Sequence, residues 1–272
     1  MDFGIKNRLS KIFSPKTGKT VMLAVDHGYF QGPTTGLRDM KGIIPLVPQA
    51  DCLFVTRGIL RNCIDPKIET SVCLRVSGGP SILGELSNED ILVSMEEAVR
   101  LNASGIGMSI FVGAKNEDRT ISNLGRLISE AERYGMPVLA ITAVGKDMSR
   151  DARYIGLACR MAAEIGAHFV KTYYVEDFEK VVEGCPVPIV IAGGKKLPEM
   201  DALVMTENAI KAGAKGVDMG RNIFQSDSPT GMIKAVRAIV HKGATAREAY
   251  DIYHKSKKTA ASEAIDAGME KV

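Results

Sequence analysis

The chain has 272 residues, 45% of them hydrophobic and 25% charged, with a formal net charge of +3; this length accommodates two ordinary domains or one large α/β barrel. So small a charge, carried by basic residues scattered along the chain, excludes an extended nucleic-acid surface. No apolar run reaches the length of a membrane-spanning helix.

In chain order, the opening "MDFGIKNRLSKIFSPK" lacks the apolar core and cleavage site of a secretory leader. It predicts an amphipathic helix with Ile5, Leu9, Ile12 and Phe13 on one stripe. Eight apolar, β-branched runs follow, over 20–28, 51–58, 71–79, 104–113, 136–145, 167–174, 187–194 and 215–224. Most are continuous rather than alternating, as expected of parallel strands covered on both faces. Helical patterns lie at 96–102, 120–135, 149–166, 175–184 and 199–213, each before the next strand, and at 228–243 and 245–258 after the last. The clearest of them carries Ile121, Leu124, Leu127, Ile128 and Ala131 on one face and closes on a glycine. The link between the second and third strands, "ILRNCIDPKIET", has room for only a short helical turn.

This alternation predicts a TIM (β/α)8 barrel with an N-terminal helix and an extra C-terminal helix. Residues 1–258 form a single domain, and 259–272 form a tail that frays or packs on a neighbour. A doubly wound sheet is the alternative, but no GxGxxG follows the first strand. The five cysteines are odd in number and match no CxxC pattern. They predict reduced thiols in a cytoplasmic protein. Four scattered histidines, with no HxxH or HExxH, predict no metal site. His168 falls at the start of the sixth strand, where a structural role is expected, and His241 and His254 fall on outer helices, where solvation is expected.

In a barrel the chemistry belongs to the C-terminal strand ends and the loops after them. The sixth strand, "AHFVKTYY", places Lys171 on the face shared by Phe169 and Tyr173, opposite Val170 and Thr172. If Val170 packs on the helix layer, Lys171 points into the barrel. A desolvated lysine amine can attack a ketone and form a Schiff base. Asp26 and His27, at the end of the first strand, are candidates to shuttle a proton or orient substrate hydroxyls. The loops after strands seven and eight carry Gly193-Gly194 and Gly220-Arg221. Glycines admit an anion close to backbone N–H groups, and arginine adds a bidentate contact, so these four predict a phosphate cradle. Arg57, Ser77 and Lys146, from the ends of strands two, three and five, are further substrate-binding candidates.

The stretches "VMLAVDHGYFQGPTTGL", "FVKTYYVEDFEKVVEGCPVPIVIAGGKK" and "GVDMGRNIFQSD" resemble the archaeal-type class I aldolases, whose superfamily includes deoxyribose-phosphate aldolase. The resemblance covers about residues 5–255. It implies that Lys171 is the Schiff-base lysine, that Asp26 sits near the reacting ketone, and that Gly193, Gly194, Gly220 and Arg221 hold phosphate. It also implies a small phosphorylated ketone or sugar as substrate, and a homo-oligomer, decameric in much of the family. One departure matters. Fructose-bisphosphate aldolases of this family carry a proton-transferring tyrosine after strand five, where this chain has Ala143 in "AVGK". Alanine transfers no proton. The "VGKDM" pattern instead resembles the thiolase branch, which implies thiolysis of a phosphorylated pentanedione. Coenzyme A is then the co-substrate, and dihydroxyacetone phosphate and acetyl-CoA are the products. Fructose 1,6-bisphosphate cleavage is the first alternative, and sugar-phosphate binding without catalysis is the second.

Overall fold

The computed structural model describes residues 2–144 and 149–269. Eight parallel strands close into a barrel: β1 Thr20–Ala24, β2 Cys52–Thr56, β3 Ser71–Arg75, β4 Gly105–Val112, β5 Val138–Val144, β6 Phe169–Tyr173, β7 Ile189–Ala192 and β8 Gly216–Met219. Each strand pairs with its sequence neighbours, and β1 closes on β8 with Val21 opposite Val217. This is the predicted (β/α)8 architecture, and all eight strands fall within the predicted runs.

Among the described residues eleven α-helical segments accompany the strands: α1 Phe3–Ile12, α2 Gly28–Gln31, α3 Arg57–Cys63, α4 Met95–Arg100, α5 Glu117–Arg133, α6 Ala152–Ile165, α7 Phe178–Gly184, α8 Glu199–Lys211, α9 Arg221–Phe224, α10 Pro229–Lys242 and α11 Ala246–Met269. The β1–β2 connection carries no full helix on the outer layer. Two 3₁₀ turns, Met40–Gly42 and Ile44–Gln49, take its place. Pro45 and Pro48 each remove an N–H from any α-helical ladder there. At the other end of the chain, α11 runs past residue 258 to Met269, across a stretch with four alanines that favours helix.

Two apolar clusters divide the core. The larger lies between strands and helices and includes Val170, Leu124, Leu127, Ile128 and Ala131. The smaller fills the barrel and contains Met22, Phe54, Leu139, Phe169 and Val190. Helix α1 plugs the N-terminal end of that interior. Ile12 is fully buried there, and Phe13 meets Phe169 edge-on with centroids 5.4 Å apart. Gly105 leaves room for this plug, because a Cβ at that position would lie 2.8 Å from Ile12 Cδ1. With the lower half filled by side chains, the barrel's cavity lies at the C-terminal strand ends. A short antiparallel pair in the β3–β4 loop, Ser77–Gly78 with Asp90–Ile91, brackets the stretch that brings Glu85, Leu86, Ser87 and Glu89 to the rim of that opening.

Candidate active site

The opening is a cavity of about 320 Å³. Lys171 is on its floor. Its β6 neighbours sort as the alternation predicts, with Phe169 inside the barrel and Val170 against the helices. The Lys171 Nζ lies 2.7 Å from Asp218 Oδ2 and 5.1 Å from the Phe54 ring centroid. Asp218 projects inward from β8, two strands away, as expected of alternate strands feeding one layer of a barrel interior. Its side chain is completely buried, and its Oδ1 has no hydrogen-bond partner. Burial pushes its carboxyl above the ordinary value, and the positive charge of Lys171 opposes that only in part.

A second network is built around Arg75, at the end of β3. Its Nη1 donates to Asp26 Oδ2 at 3.2 Å, and its Nε donates to the Ser77 carbonyl at 3.1 Å. Its Nη2 lies 2.8 Å from both carboxylate oxygens of Glu89 and 2.7 Å from Ser109 Oγ. The guanidinium also covers the Tyr29 ring at 4.1 Å. Tyr29 in turn donates its O–H to Glu89. A buried arginine is tolerable only when its donors are matched in this way. Burial alone would raise the Asp26 carboxyl, but Arg75, with His27 and Lys171, outweighs it and holds the group below its usual value. Asp26 is therefore a carboxylate at neutral pH. Burial pushes the neighbouring His27 imidazole down to about 4; the positive charges of Lys171, Arg221 and Arg75 add to this, while Asp26 opposes it. His27 is accordingly neutral at pH 7. Its Nδ1, 3.8 Å from Asp26 Oδ1, has no hydrogen-bond partner.

On the opposite wall the β7 and β8 loops meet. Asn222 joins them: its Nδ2 donates to the Gly193 carbonyl at 2.6 Å, and its Oδ1 accepts from the Leu197 N–H at 2.8 Å. Gly194 has φ of +66°, a conformation that favours glycine. Gly220 is required for space, since a Cβ there would lie 2.3 Å from the Ala24 carbonyl oxygen and 2.5 Å from His27 Cε1. Arg221 begins α9 and lines the cavity. Its Nε is buried without a partner.

The structure thus brings Lys171, Asp26, His27, Gly193, Gly194, Gly220 and Arg221 to one cavity. Two of the candidates sit elsewhere. Arg57 starts α3, and its guanidinium pairs with Glu97 at 2.8 Å, away from the cavity lining. The backbone turns into a helix at this residue, so the strand end does not aim it inward. Ser77 is buried behind the lining and donates to Glu89 at 2.7 Å, supporting the Arg75 network rather than facing the cavity. Lys146 lies outside the described residues. His168 is structural as expected, accepting from the Val138 N–H at 3.1 Å. His241 is not solvated as expected: it lies 2.7 Å from Asp51 Oδ2 and 2.9 Å from Thr17 Oγ1. Among the described residues, no group of three or more His, Cys, Asp or Glu side chains is placed to hold a metal. All five cysteines are free thiols.

Asp218 and Glu89 were not among the predicted site residues. Asp218 interrupts an otherwise apolar strand, a signal as strong as that of Lys171. Glu89 sits in a polar loop and carries no such signal.

Comparison with known proteins agrees with this arrangement. Residues 20–226 match the model of the DeoC/LacD family aldolases. The chain is 57% identical over 255 residues to an uncharacterised aldolase of Pasteurella multocida, covering 93% of this chain and 88% of that protein. It is 56% identical over 260 residues to the 3-hydroxy-5-phosphonooxypentane-2,4-dione thiolase of Escherichia coli K12, covering 95% of this chain and 89% of that protein. Among solved structures, an archaeal fructose-1,6-bisphosphate aldolase with its catalytic lysine covalently bound to the carbinolamine intermediate superposes with a TM-score of 0.79. It is 27% identical, and the match covers 87% of this chain and 99% of that one. By its sequence, its barrel and the contents of its cavity, the chain belongs to the DeoC/LacD family of aldolases and is an enzyme of that class.

Proposed function

We propose that the protein cleaves 3-hydroxy-5-phosphonooxypentane-2,4-dione by thiolysis, with Lys171 as the covalent nucleophile and coenzyme A as the acyl acceptor. The observation that carries this reading is the buried Lys171 amine on the cavity floor, facing a wall of glycine turns and an unpartnered arginine nitrogen. The phosphate sits against Gly193, Gly194, Gly220 and Arg221, where it supplies the partner that Arg221 Nε lacks. In this reading the C4 ketone meets Lys171 Nζ.

The amine adds to C4, and loss of water leaves an iminium. His27, neutral and unpartnered at Nδ1, accepts the proton of the coenzyme A thiol. The sulfur then attacks the C2 carbonyl. The C2–C3 bond breaks, and its electron pair passes into the C3–C4 enamine, for which the iminium is the electron sink. His27 returns the proton to C3, and water hydrolyses the iminium. Acetyl-CoA and dihydroxyacetone phosphate leave, and atoms and charge balance. The Asp26 carboxylate, held by Arg75, accepts the C3 hydroxyl proton as a hydrogen bond and fixes that carbon.

Ala143 lines the cavity and favours thiolysis over aldol cleavage. Retro-aldol cleavage of fructose 1,6-bisphosphate must take a proton from a substrate hydroxyl, whereas thiolysis starts from a carbonyl and needs only the thiol deprotonated. The same family resemblance supports a homo-oligomer, testable by light scattering.

Incubation with dihydroxyacetone phosphate and borohydride, followed by peptide mass analysis, tests the covalent step, and a reduced triose-phosphate adduct on Lys171 is expected. Adding coenzyme A and the dione should give acetyl-CoA. An adduct from fructose 1,6-bisphosphate with release of glyceraldehyde 3-phosphate would make the protein an aldolase instead. No adduct from either sugar phosphate would sink the Schiff-base mechanism.

A further inference from the structure

We infer that Asp218 is a catalytic acid–base residue that takes the proton Lys171 must lose and returns it to the departing water. The inference rests on the Schiff-base role of Lys171 and deepens it.

Lys171 and Asp218 form an isolated pair. The other cation on the cavity floor, Arg75, is committed to Asp26, Glu89, Ser109 and the Ser77 carbonyl. The remaining ionisable neighbours of Asp218 do not compensate it. Asp26 is a like charge, and the Cys52 and Cys73 thiols on β2 and β3 stay protonated because burial raises them. At the rim, His27 is neutral, and Arg221 is on the phosphate wall. Lys171 is the only cationic side chain within 4 Å of the Asp218 carboxylate among the described residues, its Nζ 2.7 Å from Oδ2, and beyond that ion pair neither carboxylate oxygen has a hydrogen-bond partner.

The consequence is electrostatic. An ammonium is no nucleophile, so Lys171 must become an amine before it attacks. If its proton left for water, Asp218 would remain as a lone carboxylate with no exposure at all, a state that low-dielectric surroundings strongly disfavour. Transfer to Asp218 neutralises both groups at once, and burial already biases the carboxyl toward its acid form. The amine then adds to the ketone, and the nitrogen proton moves to oxygen to give the carbinolamine. Asp218 protonates the carbinolamine hydroxyl, which leaves as water, and the carbinolamine nitrogen becomes the iminium. The carboxylate is regenerated beside a cation that replaces the original ammonium, so charge and protons balance. In the closing hydrolysis the same steps run backward.

The test measures the rate of borohydride-trappable imine formation with dihydroxyacetone phosphate in the wild type, Asp218→Asn and Asp218→Ala. The isosteric amide preserves the packing. Trapping in D218N should slow by about 100-fold or more, the usual worth of a positioned acid–base group. Its rate should also climb with pH as hydroxide takes over the proton. In D218A, added formate, small enough for the vacated space, should restore part of the rate. A wild-type trapping rate in D218N overturns the inference. So does a loss in both variants with no pH dependence and no response to formate, which is the pattern of a merely structural role. If the wild type itself fails to trap, the Schiff-base reading fails instead, and the two failures are thereby separate.

Discussion

Lys171→Met keeps most of the volume beside Phe54 and removes the amine. We expect no borohydride adduct and no thiolysis from this variant, while circular dichroism stays that of the folded barrel. Ala143→Tyr tests the branch point at the same scale. It restores a hydroxyl at the strand-five position and fills part of a 320 Å³ cavity. Release of glyceraldehyde 3-phosphate from fructose 1,6-bisphosphate should rise above the parent value, and thiolysis should fall. A tyrosine variant that leaves both rates unchanged would mean that residue 143 does not distinguish the two reactions. Arg57→Ala is the contrasting case. Because Arg57 pairs with Glu97 outside the cavity and Arg61 still holds that carboxylate after its loss, the change should move KM by less than about twofold, well under the roughly tenfold that about 1.4 kcal/mol of binding would give. The inward aim of Lys171 was legible in the period-two alternation of "FVKTY". The loss of Arg57 from the site was not, because it depends on where the backbone turns from β2 into α3.

At the scale of elements, the phosphate wall is two loops held by one side chain. Asn222→Ala removes both of its hydrogen bonds and leaves the Gly193 carbonyl and the Leu197 N–H unpaired. Such a change costs about 1–3 kcal/mol. Steady-state kinetics should show KM for the phosphorylated substrate raised about tenfold, with kcat changed far less. The glycine pairs of these loops were visible in the chain. The tie that Asn222 makes between them was not visible there, because its partners lie 29 and 25 positions away. The plug is a second element-scale device. Ile12→Ala in α1 opens a void at the sealed end of the barrel and should cost about 2–5 kcal/mol, measured by urea unfolding. The amphipathic stripe of α1 already announced a buried face, whereas its destination inside the barrel mouth required the closed sheet.

For the whole molecule, the buried cavity makes stability depend on pH. His27 titrates near 4 in the folded protein against about 6.5 in the unfolded chain, so the unfolded state binds more protons between those values. Stability is therefore full above pH 6.5 and falls as the pH drops toward 4, by on the order of 3 kcal/mol from this group. Asp26, held below its ordinary value, acts in the same sense at lower pH, while Asp218, raised by burial, acts in the opposite sense. Calorimetry at pH 7 and pH 5 should show a lower Tm at pH 5, and His27→Gln should flatten that dependence. Equal slopes in the two proteins would remove His27 as the cause. What the chain determined by itself was whatever follows from local period: eight apolar strands, the helices between them, the barrel they imply and the inward face of β6. What only the tertiary structure decided was partnership. Asp218 beneath Lys171, Glu89 folded back on Arg75 and Tyr29, and Asn222 between two loops are contacts between distant segments. No local pattern encodes such contacts, because their energy comes from charges and hydrogen-bonding groups that closing the barrel brings together away from water.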